Sequence, residues 1–342
     1  MKLNRRRATQ ADVARAAGVS AATVSYVASG RANRKHPATP EIAARVLRAM
    51  RDLDYTPARS GRVLARSRTG LVAVAAYTPF NPWALGLITQ IEEVAADHGL
   101  GVVIQRYGHT ENAADLIETQ LLEGLADAAV VVGSPSFGAG RLYRIGRRVP
   151  LLAVHHSYRP RGFDVMVQRE ATAVRAAAEH LIGLGVKRPA FIDAPDTGDH
   201  PRRDAFVDTF LEHGYRPDSI AVVQDRENAF TGFLDSRHLA TELLDRSPRR
   251  RPDAIMANSD RAAIATMWAA MQLGISIPHE LKVIGAGNIP EGADLRPSLT
   301  TVGSAVEEFR PTLERLIARI DDPGMRTGTH EVPWRLILRD SA

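Results

Sequence analysis

Residues 9–29, TQADVARAAGVSAATVSYVAS, constrain the N-terminal end of this 342-residue chain more tightly than any other stretch. Thr9 is a helix cap, and Val13, Ala14, Ala16 and Ala17 follow at i, i+3, i+4 spacing. Gly18 stands where a left-handed C-cap ends such a helix. Val19 is the apolar plug of the turn, and Ser20 caps a second helix carrying Ala22, Thr23, Val24 and Val27. Two short helices joined by a glycine turn make a helix-turn-helix, although an ordinary αα-hairpin has the same spacing. Thr39-Pro40-Glu41 then starts a third helix with apolar positions Ile42, Val46, Leu47, Met50 and Leu53, ending near Asp54-Tyr55-Thr56-Pro57.

Charge separates this end from the rest. Residues 1–69 hold 15 Lys and Arg against 4 Asp and Glu, whereas the remainder holds 29 against 35. A strongly basic end on a weakly acidic body is the footprint of a nucleic-acid-binding module. The loop Gly30-Arg31-Ala32-Asn33-Arg34-Lys35-His36-Pro37-Ala38 reads as phosphate contact through Arg31 and Arg34, with a solvated loop as the alternative. The chain has no cysteine, so neither disulfides nor thiolate chemistry are available. No apolar run is long enough for a membrane span, and no signal-peptide pattern opens the chain, which places it in the cytoplasm.

From Leu71 onward short apolar runs alternate with helical stretches. Strands are expected at 71–74, 101–104, 128–132, 151–154, 190–193, 220–223, 254–257, 282–285 and 335–338. Helices are expected at 82–98, 171–184, 204–213, 239–244 and 261–273. Repeated βα units over about 270 residues imply two covered parallel sheets, because single cores stop growing near that size.

Three segments together, DVARAAGVSAATVSYV, TPEIAARVLRAMRDLDYTP and VLARSRTGLVAV, resemble the lac-repressor (LacI/GalR) family of bacterial transcription regulators. The resemblance implies an all-α helix-turn-helix domain with a hinge helix, followed by a two-lobed α/β core of the periplasmic-binding-protein type. The expected boundaries are 1–57 for the DNA-binding domain, 58–69 for the hinge and 70–342 for the core. Within the core, 70–166 plus 297–326 would form one lobe and 167–296 plus 327–342 the other. The three crossings between lobes are then expected near residues 166–170, 289–297 and 327–330.

The resemblance also carries roles. Base reading falls on Ala21, Ala22 and Tyr26; an alanine methyl suits a thymine methyl, and Tyr26 offers a ring edge and a hydroxyl. Ala22 has packing as an alternative role. Thr23 and Ser25 suit phosphates, and the helix-capping Thr9 and Ser20 complete the DNA-facing set. In the hinge, Leu64 matches the family's minor-groove wedge while Arg59, Arg62 and Arg66 follow phosphates. Two departures there, Gly61 and Ala58, raise the cost of ordering the hinge, and a flexible basic linker is the alternative. In the cleft, Arg202 of HPRRDAF falls on the family's effector-gripping arginine, and a guanidinium fork suits hydroxyls, carboxylates or phosphates. Ser259 aligns with a contact position, and Asp260 with an aspartate that caps a helix more often than it touches ligand. His155 stands where a sugar-binding member has an aspartate, Gln168-Arg169 replaces an Asp-Asn pair, and Gly287-Asn288 replaces a pair of aspartates. Trp83, in Asn81-Pro82-Trp83, is placed to stack on a sugar ring. With carboxylates lost and His155, Arg169 and Arg202 present, the cleft is expected to be cationic and to favour an anionic or phosphorylated effector over a sugar-like one, with a degenerate cleft that binds no effector as the alternative.

Nothing in the core assembles a catalytic, cofactor or metal set. Gly285-Ala286-Gly287 lacks the third glycine of a dinucleotide fingerprint, because Pro290 falls there. The Gly-rich 133–140 segment has no lysine for phosphate, and His155-His156 lacks zinc-ligand spacing. The chain therefore reads as a cytoplasmic homodimeric repressor of a pseudo-palindromic operator, responsive to a small molecule and not an enzyme. A solute-binding protein shares the core, but predicts a signal peptide and no basic module. Residues 72–91 and the adjoining lobe surface are the expected dimer face.

Overall fold

Val13, Val24 and Val46 have no exposed surface, and around them three helices close. These are α1 (Gln10–Ala17), α2 (Ala21–Ala28) and α3 (Pro40–Asp52). The computed structural model describes residues 8–28, 38–56, 68–77, 82–108, 112–133, 137–194, 200–224 and 232–342. It divides into two compact units, 1–69 and 70–342. In α3 the buried face is Val46 and Ala49, with Ile42 and Met50 half-buried against them, while Leu47 is exposed. Leu47 follows Val46 by one step of about 100°, which turns it off the core stripe. Leu53 is the C-cap beyond the helix and is also exposed, so neither leucine belongs to the core as expected.

In the second unit the strands β1 (Leu71–Tyr77), β2 (Gly101–Tyr107), β3 (Ala128–Val132), β4 (Leu151–Val154) and β5 (Asp164–Gln168) alternate with helices α4 (Pro82–Asp97), α5 (Ala113–Leu122) and α6 (Ala139–Gly146). Then come α7 (Glu170–Gly183), β6 (Pro189–Asp193), α8 (Pro201–Glu212), β7 (Ala221–Gln224), α9 (Gly232–Leu244), β8 (Ala254–Ala257), α10 (Asp260–Gln272) and β9 (Lys282–Ala286). The chain ends with α11 (Pro290–Asp294), β10 (Thr300–Gly303), α12 (Arg310–Asp321), β11 (Thr329–Val332) and β12 (Arg335–Ile337). Two six-stranded sheets result, ordered β11-β5-β4-β3-β1-β2 and β12-β10-β9-β8-β6-β7. All pairs are parallel except β10 with β12.

Each sheet is covered on both faces, as continuous apolar strands require. Val72, Val74 and Ala76 of β1 meet α4 and α12 through Leu87, Ile91 and Leu313, while Ala73 and Ala75 meet α5 and α6 through Ile117 and Leu142. In the second sheet Phe191 and Met256 pack on α7 and α8 through Leu181 and Phe206. Ile192 and Ile255 face α9 and α10 through Leu243 and Met267.

The lobe boundaries differ from expectation at two of three places. The first crossing does run from Gln168 to Glu170, since β5 lies in one sheet and α7 packs on the other. The second is not at 289–297: β10 stays in the second sheet, Thr300–Val302 pairing with Ile284–Ala286, and the chain returns to the first lobe between Gly303 and α12. The third is at 332–335, because β11 pairs with β5 before β12 joins β10. Residues 297–303 thus belong to the second lobe, and 327–332 to the first.

Candidate DNA-binding helix and interlobe cleft

The first unit is built from local caps. Thr9 Oγ1 accepts from Asp12 N (3.3 Å), and Asp12 Oδ2 accepts from Thr9 N (2.9 Å), a reciprocal capping box. Gly18 sits at φ 64°, and Val19 N donates to Ala14 O across it (3.0 Å). Nothing approaches the position a Cβ would take at Gly18, so Gly18→Ala meets only the left-handed backbone penalty. It should lower stability by about 1 kcal/mol, readable as a shifted urea midpoint of the first unit's transition.

Ser20 Oγ accepts from Thr23 N (3.1 Å) and lies 2.9 Å from Thr23 Oγ1, while Gln10 Nε2 ties α1 to Ala21 O (2.6 Å). The hydroxyls of Thr9, Ser20 and Thr23 are therefore engaged in capping. Ala21, Ala22 and Ser25 are exposed on α2, and Tyr26 is half-buried. Exposure of Ala22 argues against a packing role. Arg31, Arg34, Arg59, Arg62, Leu64 and Arg66 lie outside the described residues.

In the second unit the C-terminal ends of the strands meet the lobe crossings, where open α/β sheets bind ligands. Arg202, near the start of α8, is the centre of this region. Its Nε donates to Glu170 Oε2 (2.8 Å), Nη1 donates to Asn258 O, and its guanidinium stacks 4.8 Å from the Trp334 ring centre. One side chain thus gathers the first crossing (Glu170), the third (Trp334) and the end of β8 (Asn258). Beside it, His200 Nδ1 lies 2.7 Å from Oδ2 of buried Asp193, with Arg203 Nη1 at 3.5 Å. Glu170, Asp193, His200 and Trp334 went unread in the sequence. A tryptophan in one of the chain's few Pro-Trp pairs was the available signal for Trp334.

The remaining expected residues divide. Arg169 is ion-paired with Glu331, and its amide donates to Val332 O (3.1 Å), joining the first and third crossings. That pair holds the Glu331 carboxyl below its usual range. His155 Nδ1 accepts from Ser157 N (3.2 Å), which assigns the ring proton of neutral His155 to Nε2. Trp83 packs edge-on against Phe309 (5.9 Å) on the first-lobe core.

Ser259 and Asp260 have structural duties. Ser259 Oγ caps α10 by accepting from Ala262 N (3.2 Å). Asp260 is buried, with Oδ2 accepting from Ile289 N (2.8 Å) and Oδ1 from the Thr301 hydroxyl. Asn288, at φ 55°, donates from Nδ2 to Ser304 O (3.1 Å) and accepts at Oδ1 from Arg339 Nη2 (2.8 Å). Its amide is thus occupied by the protein at both ends, and Gly287 beside it offers no side chain. Burial pushes the Asp260 carboxyl up, outweighing the lowering by Thr301, Ile289, Arg339 and Arg202. A folded value above the unfolded one stabilises fully below the ordinary carboxylate range and is lost as pH rises through the raised value. Urea midpoints should therefore decline more over that window in the wild type than in Asp260→Asn.

The expected cationic cleft is not what the arginines make. Arg202 pairs with Glu170, Arg169 with Glu331, and Arg335 with Glu308. The same region holds buried polar atoms without hydrogen-bond partners: Gln168 Nε2, Ser304 Oγ, Glu308 Oε2, Trp334 Nε1 and Trp83 Nε1.

Residues 9–58 match the family described as bacterial regulatory proteins, lacI family, and residues 178–342 match the periplasmic binding protein-like domain. The N-terminal segment thus carries the lacI-family DNA-binding domain. The whole chain is 29% identical to the ribose operon repressor of Halalkalibacterium halodurans, over 96% of each chain. It is 28% identical to the HTH-type transcriptional regulator DegA of Bacillus subtilis, again over 96% of each. Among solved structures it resembles the lac repressor bound to ONPG in its repressed state, with TM-score 0.79 at 18% identity, covering 98% of this chain and 100% of that one. The lac repressor dimer bound to operator and the anti-inducer ONPF gives TM-score 0.76 at 20% identity, covering 98% and 99%. The chain is similar to transcription regulators along nearly its whole length. Among the described residues no helix is long and apolar enough to cross a membrane.

Proposed function

We propose that this lacI-family protein is a cytoplasmic repressor that binds a pseudo-palindromic operator as a homodimer and is controlled by a neutral, polyhydroxylated small molecule in the interlobe cleft. The protein regulates transcription and is not an enzyme. The exposed start of α2, with Ala21, Ala22, Ser25 and Tyr26, reads the major groove. Arg31 and Arg34 position the module on phosphates, and Leu64, flanked by Arg59, Arg62 and Arg66, wedges the minor groove.

The cluster of unpartnered buried polar atoms at the lobe crossings carries the effector assignment. Buried polar groups are almost always hydrogen-bonded, so amide, hydroxyl, carboxylate and indole groups converging there suit a hydroxyl-rich ligand. Arg169, Arg202 and Arg335 are each paired with a carboxylate, which favours a neutral ligand over the anionic one. A ribose operon repressor among the relatives makes ribose the first compound to test. Effector acts through a difference in affinity between lobe arrangements. Titrating ribose, other neutral sugars and sugar phosphates against operator-bound protein tests this. A neutral sugar that alone shifts operator affinity at least tenfold supports the reading; a response confined to phosphorylated compounds overturns it.

A further inference from the structure

We propose that the first lobe holds a monovalent-anion site, of the size and charge of chloride, between Arg315 and Arg319. It is independent of the effector cleft. These arginines stand one turn apart on α12 and face the beginning of β5 and β11. The only carboxylate within 4.0 Å of either guanidinium, among the described residues, is Asp164.

Asp164 is already heavily used. Its Oδ2 accepts from Arg319 Nη1 (2.8 Å), and its Oδ1 accepts from Gly328 N (2.8 Å) and lies 3.0 Å from His330 Nε2. Arg315 Nε stands 4.0 Å from Oδ1, beyond hydrogen-bond reach, and its Nη2 donates to Arg326 O. The Nε–H of Arg315 and the Nε–H of Arg319 are both buried and have no hydrogen-bond partner. The Arg319 side chain is only 5% exposed.

Two permanent positive charges, the buried Arg319 and the 31% exposed Arg315, therefore share one carboxylate. Buried charges are balanced or they are costly, and a single monovalent anion restores neutrality where a dianion would overshoot. The buried donors without a partner are one Nε–H on each of two separate guanidiniums. Single donors suit a spherical ion, whereas carboxylate or phosphate recognition uses the fork. The site lies at the N-terminal ends of β5 and β11, whose C-terminal ends enter the lobe crossings. With strands this short, that separates it from the crossings by roughly 13 Å.

Chloride-35 NMR of the full chain, titrated with chloride in gluconate buffer at constant ionic strength, tests the site. The wild type should show excess line broadening that saturates and is displaced by bromide. Arg315→Gln, with an unchanged circular dichroism spectrum, should bind chloride about tenfold more weakly. Broadening that never saturates, or is the same in Arg315→Gln, would mean surface association only and overturn the proposal. If the variant fails to fold, wild-type crystals soaked in bromide decide: an anomalous peak beside both Nε atoms supports the site, and its absence refutes it.

Discussion

Gly285→Ala should destabilise the second lobe by about 3 kcal/mol or more, at the upper end of overpacking costs. Gly285 lies in β9, where α10 begins against the sheet. A Cβ there would fall 2.2 Å from Asp260 Oδ1, 3.0 Å from Asp260 Cα and 3.1 Å from a Leu299 methyl. The first neighbour is not a flexible tip that can swing aside, because Asp260 is held by Ile289 N and the Thr301 hydroxyl. The second is helix backbone. Relief therefore requires moving α10 off the sheet and surrendering the packing of Ala263 and Met267 against Ile255 and Val283. Guanidinium unfolding followed by tryptophan emission reads the effect, with Trp268 on α10 and Trp334 at the crossing as reporters. A wild-type midpoint would show that α10 can shift freely, contrary to this packing.

Arg202→Met should uncouple the cleft from DNA binding. The substitution leaves the hydrophobic stem over Trp334 but removes the partner of Glu170, whose side chain is 14% exposed, and the donor to Asn258 O. Breaking a buried ion pair on one side costs about 3–5 kcal/mol, and partial solvation of this pair reduces that to about 2. Operator affinity in the absence of effector should stay near wild type. Effector affinity should fall about ten- to hundredfold, as expected for losing a charged hydrogen-bond donor. Arg202→Lys should rescue little, since an ammonium cannot reach Glu170 and Asn258 O with a rigid fork while lying flat on Trp334. An unchanged effector response in Arg202→Met would remove Arg202 from the site.

What the sequence made legible followed the range of the interactions. The caps and turn of the helix-turn-helix are contacts three to five residues apart, and Thr9, Gly18, Ser20 and Thr39 announced them. The apolar strands β3, β4 and β8 were equally plain. The strands bordering the crossings were not: Thr300-Thr301-Val302-Gly303 and Thr329-His330-Glu331-Val332 carry few apolar side chains, and only pairing with β9 and β5 makes them strands. That is why the second and third crossings fell elsewhere than expected.

The site divides in the same way. Arg202 was expected from the resemblance of HPRRDAF, but Glu170 and Trp334, which fix its guanidinium, come from distant parts of the chain. Counting cationic residues without their partners made the cleft look positive, whereas Glu170, Glu331 and Glu308 neutralise it. Asn288 looked like a substituted ligand contact because Gly287-Asn288 stands where the resembled family has a pair of aspartates. Ser304 and Arg339 engage both ends of its amide, and no local pattern discloses that.

The central claim, a sequence-specific regulator anchored on phosphates by its basic end, is tested most directly by selecting random-sequence duplex DNA on the purified full-length protein at two salt concentrations. The account predicts an enriched pseudo-palindrome whose affinity falls steeply with salt, with a log–log slope of roughly −5 or steeper for a dimer contacting many phosphates. Binding with no enriched sequence at either salt would contradict it, leaving a basic module without base readout and a cleft whose ligand controls something other than operator choice.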